Sequence, residues 1–221
     1  MLTPQVPVAK EGYPFIGFAA FCTLIFALLE LWLPASVLLI LTTFVLCFFR
    51  DPERFIPPQE DAVVSPADGR VLLVEKIEAN EFTLGKAYKI SIFMNVFNVH
   101  VNRIPFAGKV EKIIYTPGKF YSADSKKGAL HNEYSAAVLT TPGGQTLAFV
   151  QIAGLIARRI VCWLEAGDDA VKGKRYGLIR FGSRVDLYLP EDTQITAQPG
   201  QKVRGGESIL GYLRENQKEL S

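Results

Sequence analysis

Tyr88-Lys-Ile-Ser-Ile-Phe-Met94 is seven residues of mostly β-branched and aromatic side chains, bounded by turn-forming residues, and it reads as a strand rather than a helix. The same reading repeats along the chain beyond Pro57. Val71-Leu-Leu-Val-Glu-Lys-Ile77, Lys109-Val-Glu-Lys-Ile-Ile-Tyr115, Ala136-Ala-Val-Leu-Thr140, Thr146-Leu-Ala-Phe-Val-Gln-Ile152, Arg159-Ile-Val-Cys-Trp163 and Val185-Asp-Leu-Tyr-Leu189 are further strands. Thr141-Pro-Gly-Gly144 is placed to turn a hairpin between two of them. Helical periodicity is absent from this part except for a short stretch near Ala123 to Gly128. The expected fold is mainly β, a compact antiparallel sandwich or barrel.

The first fifty residues follow a different rule. From Pro14 to Phe49 the sole charge is Glu30, a composition suited to lipid rather than to the core of a domain this small. Phe15 to Leu33 is long enough to cross a hydrocarbon layer, whereas Ala35 to Phe49 is short for the roughly 20 residues a span prefers. A helical hairpin turning at Pro34-Ala35-Ser36 satisfies both lengths. A cleaved signal peptide does not fit, because it has one apolar region of about 7 to 15 residues and here a second follows at once. Lys10, Arg50 and Arg54 flank the apolar stretch and its turn carries no base, which places both ends in the cytoplasm at the inner membrane. The expected division is therefore an anchor over residues 1–55 and a β-rich catalytic domain over 56–221.

A net charge of +2 and no basic-aromatic stripe argue against nucleic acid. The three cysteines, Cys22, Cys47 and Cys162, have no metal-type spacing, and two histidines cannot make a three-histidine metal site. A lysostaphin-type zinc endopeptidase built on His100, Asp68 and His131 does not fit either, because such enzymes need a His-x-His pair and His100 is followed by Val101-Asn102, so no metal is expected.

Chemistry concentrates in Arg180-Phe-Gly182-Ser183-Arg-Val-Asp186. Glycine leaves its carbonyl unshielded, so a deprotonated serine hydroxyl can attack it and turn the amide into an ester. Elimination from that ester would leave dehydroalanine, and then a pyruvoyl group, at a new amino terminus. Most Gly-Ser pairs only turn the chain, so the surrounding residues decide.

Tyr176-Gly-Leu-Ile-Arg-Phe-Gly-Ser-Arg-Val-Asp-Leu-Tyr-Leu-Pro190 resembles the processing segment of the phosphatidylserine decarboxylase proenzymes in their short form. Phe49-Arg-Asp-Pro-Glu-Arg54, Val64-Ser-Pro-Ala-Asp68-Gly69 and Asn95-Val-Phe-Asn-Val-His100-Val-Asn-Arg-Ile-Pro105 agree with that family in content and order, over about Phe49 to Leu213. The resemblance implies self-cleavage between Gly182 and Ser183, a pyruvoyl cofactor derived from Ser183, and a triad of Asp68, His100 and Ser183. It implies decarboxylation of membrane phosphatidylserine to phosphatidylethanolamine in phospholipid biosynthesis, by a heterodimer of residues 1–182 and 183–221. A homo-oligomer of such pairs is left open. Longer family members carry two histidines three residues apart, where the second position here is Arg103, so His100 is asked to serve both cleavage and protonation. His131 and Asn132 are the candidate substrate contacts, His131 being also an alternative proton donor.

Ser65-Pro-Ala-Asp-Gly-Arg-Val71 and Pro199-Gly-Gln-Lys-Val-Arg-Gly-Gly-Glu-Ser-Ile-Leu-Gly211 also resemble the two half-motifs of lipoyl- or biotinyl-type barrel-sandwich domains. The rival that follows is a non-catalytic membrane-anchored adaptor. Such a subunit should carry a long helical hairpin inside the domain, and a true carrier should show an exposed lysine turn between the halves. Neither is legible here.

Overall fold

The computed structural model describes residues 7–118, 132–154, 159–180 and 183–214. The expected short helix near Ala123 to Gly128 lies outside them, as do Gly182 and His131. The chain forms two compact units, Met1–Glu53 and Arg54–Ser221.

In the first unit, helix α1 (Tyr13–Leu28) and helix α2 (Trp32–Phe48) form an antiparallel pair. Their apolar side chains point outward: Phe18, Leu28, Trp32, Leu33 and Ile40 are each more than two-thirds exposed, the reverse of a water-soluble helix pair. Lys10–Leu28 is long and apolar enough to cross a membrane, whereas Trp32–Phe48 is shorter. Between the helices, Thr23 and Thr42 share a hydroxyl contact of 3.0 Å. The connection lies at Leu29 to Leu31, not at Pro34-Ala35-Ser36 as the sequence suggested. Pro34 sits in the first turn of α2, where its missing N–H has no intrahelical partner to lose, and Glu30 turns the chain in the left-handed region with φ 58°.

The second unit is mainly β. Its strands are β1 (Ala62–Val64), β2 (Gly69–Ile77), β3 (Ala87–Met94), β4 (Val101–Arg103), β5 (Gly108–Thr116), β6 (Tyr134–Thr140) and β7 (Thr146–Ala153), followed by β8 (Ile160–Cys162), β9 (Asp169–Ala170), β10 (Arg175–Ile179), β11 (Ser183–Pro190), β12 (Gln194–Ile195), β13 (Lys202–Val203) and β14 (Ile209–Tyr212). An eight-stranded antiparallel sheet runs β13-β2-β3-β11-β7-β6-β5-β9, with two three-stranded sheets ordered β1-β14-β12 and β4-β10-β8. The Thr141 to Gly144 turn joins β6 to β7 as the sequence indicates, with Gly144 at φ 80° and Thr141 N–H donating to Gln145 O at 2.9 Å.

Alternation gives the large sheet two buried faces. Val185, Leu187 and Leu189 of β11 enter the main core with Ile90, Ile92, Leu147 and Phe149. Tyr188 turns to the other face, where it packs with Phe82, Ala136, Val138, Ala148 and Val150. The barrel-sandwich-like halves meet: Ser65 N–H donates to Ser208 O, Gly206 N–H to Ser65 O and Val71 N–H to Gln201 O, at 2.8 to 2.9 Å. Their pairing brings the Asp68 turn against Gly205.

Candidate active site

Ser183 opens β11, the strand in the middle of the large sheet. It faces Met94 of β3 on one side and Ala153 of β7 on the other, so its position is fixed by two ladders. The residue is fully buried, and its hydroxyl makes no hydrogen bond to any described residue. Burial of an unpaired hydroxyl costs about 1–3 kcal/mol, so this serine is not there to stabilise the sheet.

A second polar group shares that face. Gln151 lies opposite Val185, two residues along β11 from Ser183, and its Nε2 donates to Asn102 Oδ1 at 2.8 Å. Asn102 Nδ2 in turn points at the Met94 sulfur, 3.5 Å away, beneath the residue paired with Ser183. Asn102 and Gln151 are fully buried, and Gln151 Oε1 has no described partner.

His100 precedes β4 by one residue and its carbonyl accepts from Ile179 N–H at 3.4 Å, which sets it beside the end of β10, whose Ile179 comes four residues before Ser183 in the chain. Its ring is buried, with Nδ1 3.0 Å from Asn98 O. A carbonyl can only accept, so in the neutral ring Nδ1 carries the proton and Nε2 is the basic nitrogen. Asn132 Nδ2 donates to Ala153 O at 2.6 Å, on the residue across the ladder from Ser183.

Asp68 lies in the turn before β2, whose Arg70 pairs with Phe93 beside Met94. Its hydrogen-bond partners are Arg54, whose Nη2 reaches Oδ1 at 3.0 Å and Oδ2 at 2.8 Å, and Gly205 N–H at 2.7 Å. His100 is not among them. Among the described residues, then, no hydrogen bond joins Asp68 to His100: the Asn98 carbonyl lies against the ring, and Arg54 holds the carboxylate.

The phosphatidylserine decarboxylase family model matches residues 41–211. A phosphatidylserine decarboxylase proenzyme of Desulfotalea psychrophila (strain LSv54 / DSM 12343) is 63% identical over 213 residues, covering 96% of this chain and 100% of the relative. Proenzymes of the same name from Geobacter sp. (strain M21) and Syntrophotalea carbinolica (strain DSM 2380 / NBRC 103641 / GraBd1) are each 50% identical, over 96% and 97% of this chain and 100% of each relative. The chain belongs to the phosphatidylserine decarboxylase family. It is accordingly an enzyme, and the adaptor reading has no support from these likenesses.

For this decarboxylase, the residues that sequence reasoning missed are the ones that hold others in place. Arg54 lies at the end of a quoted motif but looked only like a membrane-flanking charge. Gln151 carried a legible signal, a carboxamide inside the otherwise apolar run Leu147 to Ala153. Burial pushes the Cys162 thiol above the ordinary cysteine range, and hydrogen bonds with the Leu164 backbone and the Ser135 side chain offset this only in part.

Proposed function

We propose that this chain cuts itself between Gly182 and Ser183 and, once cut, decarboxylates phosphatidylserine to phosphatidylethanolamine with a pyruvoyl group made from Ser183. The observation that carries the reading is Ser183 itself, pinned between two strands with a buried hydroxyl that no described residue occupies. In the cleavage step Ser183 Oγ bonds to the Gly182 carbonyl carbon, the C–N bond breaks, and the hydroxyl proton passes to His100 and on to the departing amine. Loss of the Ser183 Cα proton then expels Gly182 as a carboxylate. Water releases the nitrogen as ammonia and leaves the keto group.

The residues around Ser183 fit such a group. A small carbonyl suits the fully buried position of Ser183, and Gln151 Oε1, an acceptor with no described partner, is free to receive an N–H of the amine that such a carbonyl binds. When formed, the group supplies an electrophile that accepts the electrons released with CO₂. Around it, His100 is the proton carrier, an imidazole that can take up a proton at one ring nitrogen and give it back. Asp68 is the acidic member of the site. Asn132 and His131 are the substrate contacts. Residues 1–55 anchor the enzyme in the cytoplasmic membrane, residues 56–221 act on the lipid at its cytoplasmic face, and the mature pair is 1–182 with 183–221.

Intact mass under denaturing conditions tests this, beside a Ser183→Ala control. Two fragments split after Gly182, the smaller blocked by a pyruvoyl group, are expected from the native chain, with the control uncut. A native chain that stays whole in membranes at neutral pH overturns the proposal.

A further inference from the structure

The segment Phe49-Arg-Asp-Pro-Glu-Arg54 serves both units. Its front half closes the helical pair: Phe49 O accepts from Ala9 N–H at 2.8 Å, Arg50 bridges to Val8, and Asp51 N–H donates to Pro7 O at 2.8 Å. Its last residue belongs to the β unit. Arg54 Nη2 grips both oxygens of Asp68, and its Nη1 lies 3.6 Å from Glu207 Oε2. The Arg54 and Asp68 side chains are only 7% and 14% exposed.

A carboxylate so enclosed needs charge and hydrogen bonds in place of the water it has lost. The guanidinium supplies both, in a planar geometry that a lysine ammonium does not reproduce. Gly205 N–H supplies the rest, from a crowded position where an added Cβ would lie 3.3 to 3.4 Å from the Ala67 backbone and an Asp68 carboxylate oxygen. Stability alone is a weak reason for such a pair, since well-packed apolar residues commonly do as well. We propose that Arg54 is a positioning residue for self-cleavage: it fixes the place and rotamer of the Asp68 carboxylate at the end of the sheet where β11 begins. This rests on the reading that Asp68 serves cleavage. The network also crosses the cut. Arg54 and Asp68 lie before residue 183, Gly205 and Glu207 after it, so residues of both product chains set the same carboxylate.

The test is the time course of cleavage, read by mass, for the full chain carrying Arg54→Met, Arg54→Lys, Asp68→Asn or the double change Arg54→Met with Asp68→Asn. Thermal unfolding of each on a Ser183→Ala background reports folding separately. Arg54→Met should slow cleavage by about tenfold or more, the loss of roughly one strong charge-assisted contact. Arg54→Lys should recover part of the rate, and the double variant should be no slower than Asp68→Asn alone. Wild-type cleavage in Arg54→Met with slow cleavage in Asp68→Asn overturns the inference and leaves the role of Asp68 standing. Wild-type cleavage in Asp68→Asn removes that role, and the inference with it. A double variant slowed by the product of the two single effects also overturns it, because Arg54 would then act independently of Asp68. Should Arg54→Met fail to fold, the double variant, which carries no unpaired buried charge, and Arg54→Lys keep the comparison decisive.

Discussion

Replacing Arg184 by methionine tests how β11 is held next to its reactive end. The guanidinium is buried on the face of the sheet opposite Ser183, with Nε 2.5 Å from Asp186 Oδ1 and Nη2 2.6 Å from Oδ2 and 2.9 Å from Ser91 Oγ. Asp186 is 1% exposed, and its other cation is Lys89, 3.5 Å away. Removing one partner of a buried pair costs about 3–5 kcal/mol, because the charge left behind has lost its water. Lys89 remains, so the lower end applies, about 3 kcal/mol. At about 2–4 °C per kcal/mol for a domain of this size, the Tm should fall by about 6–12 °C. Arg184→Met combined with Asp186→Leu leaves no orphaned carboxylate and should recover most of the loss. The assay is thermal and urea unfolding of detergent-solubilised full chain on a Ser183→Ala background, so that one uncut species is measured. A single variant losing under about 1 kcal/mol, or a double variant worse than the single, refutes the reasoning.

Two smaller predictions concern packing and reactivity. At Gly69 an added Cβ would lie 2.1 Å from the Phe93 carbonyl oxygen, so Gly69→Ala must push β2 from β3. It should cost about 1–3 kcal/mol or prevent folding, and an unchanged Tm would contradict the close approach. The raised pKa of Cys162 keeps the neutral thiol present to higher pH than usual, so alkylation by iodoacetamide at pH 8, in a Cys22→Ala/Cys47→Ala background, should be slower than for a simple thiol and should climb as pH rises beyond the ordinary cysteine range of about 8.5. Equal rates at pH 8 would show that Cys162 is not desolvated.

Long strands were legible because runs of seven residues rich in Val, Ile, Phe and Tyr between turn residues are a strong pattern, and Val71 to Ile77, Tyr88 to Met94 and Lys109 to Tyr115 all lie within β2, β3 and β5. Strands of two to four residues, such as β1, β4 and β12 to β14, have too few side chains to show a period, and long-range pairing alone creates them. The Arg175–Ile179 strand was hidden by its own chemistry: its residues drew attention as the flank of Gly182 and Ser183. In the anchor, proline marked a turn that the chain makes five residues earlier, because a helix's first turn tolerates proline. At the site, Ser183 and His100 were visible from residue type and setting. The Arg54 contact was not, since a pair fourteen positions apart is fixed by how the turn before β2 meets the Gly205 segment, and no local pattern records that.

The central place of β11 has a consequence for the life of the mature molecule. A cut before Ser183 would leave the last 39 residues as a separate polypeptide, yet its first eight would remain laddered to β3 and the first six of them to β7 as well. The fragment could not depart without opening the sheet through its middle. Before the cut, refolding is a one-body search with the strand tethered to its slot; after it, the same slot must be found by a diffusing peptide at whatever concentration the cell holds. Maturation would thus change unfolding from a reversible excursion into a terminal event, and the persistence of the enzyme would be governed by how slowly that sheet opens rather than by its equilibrium stability.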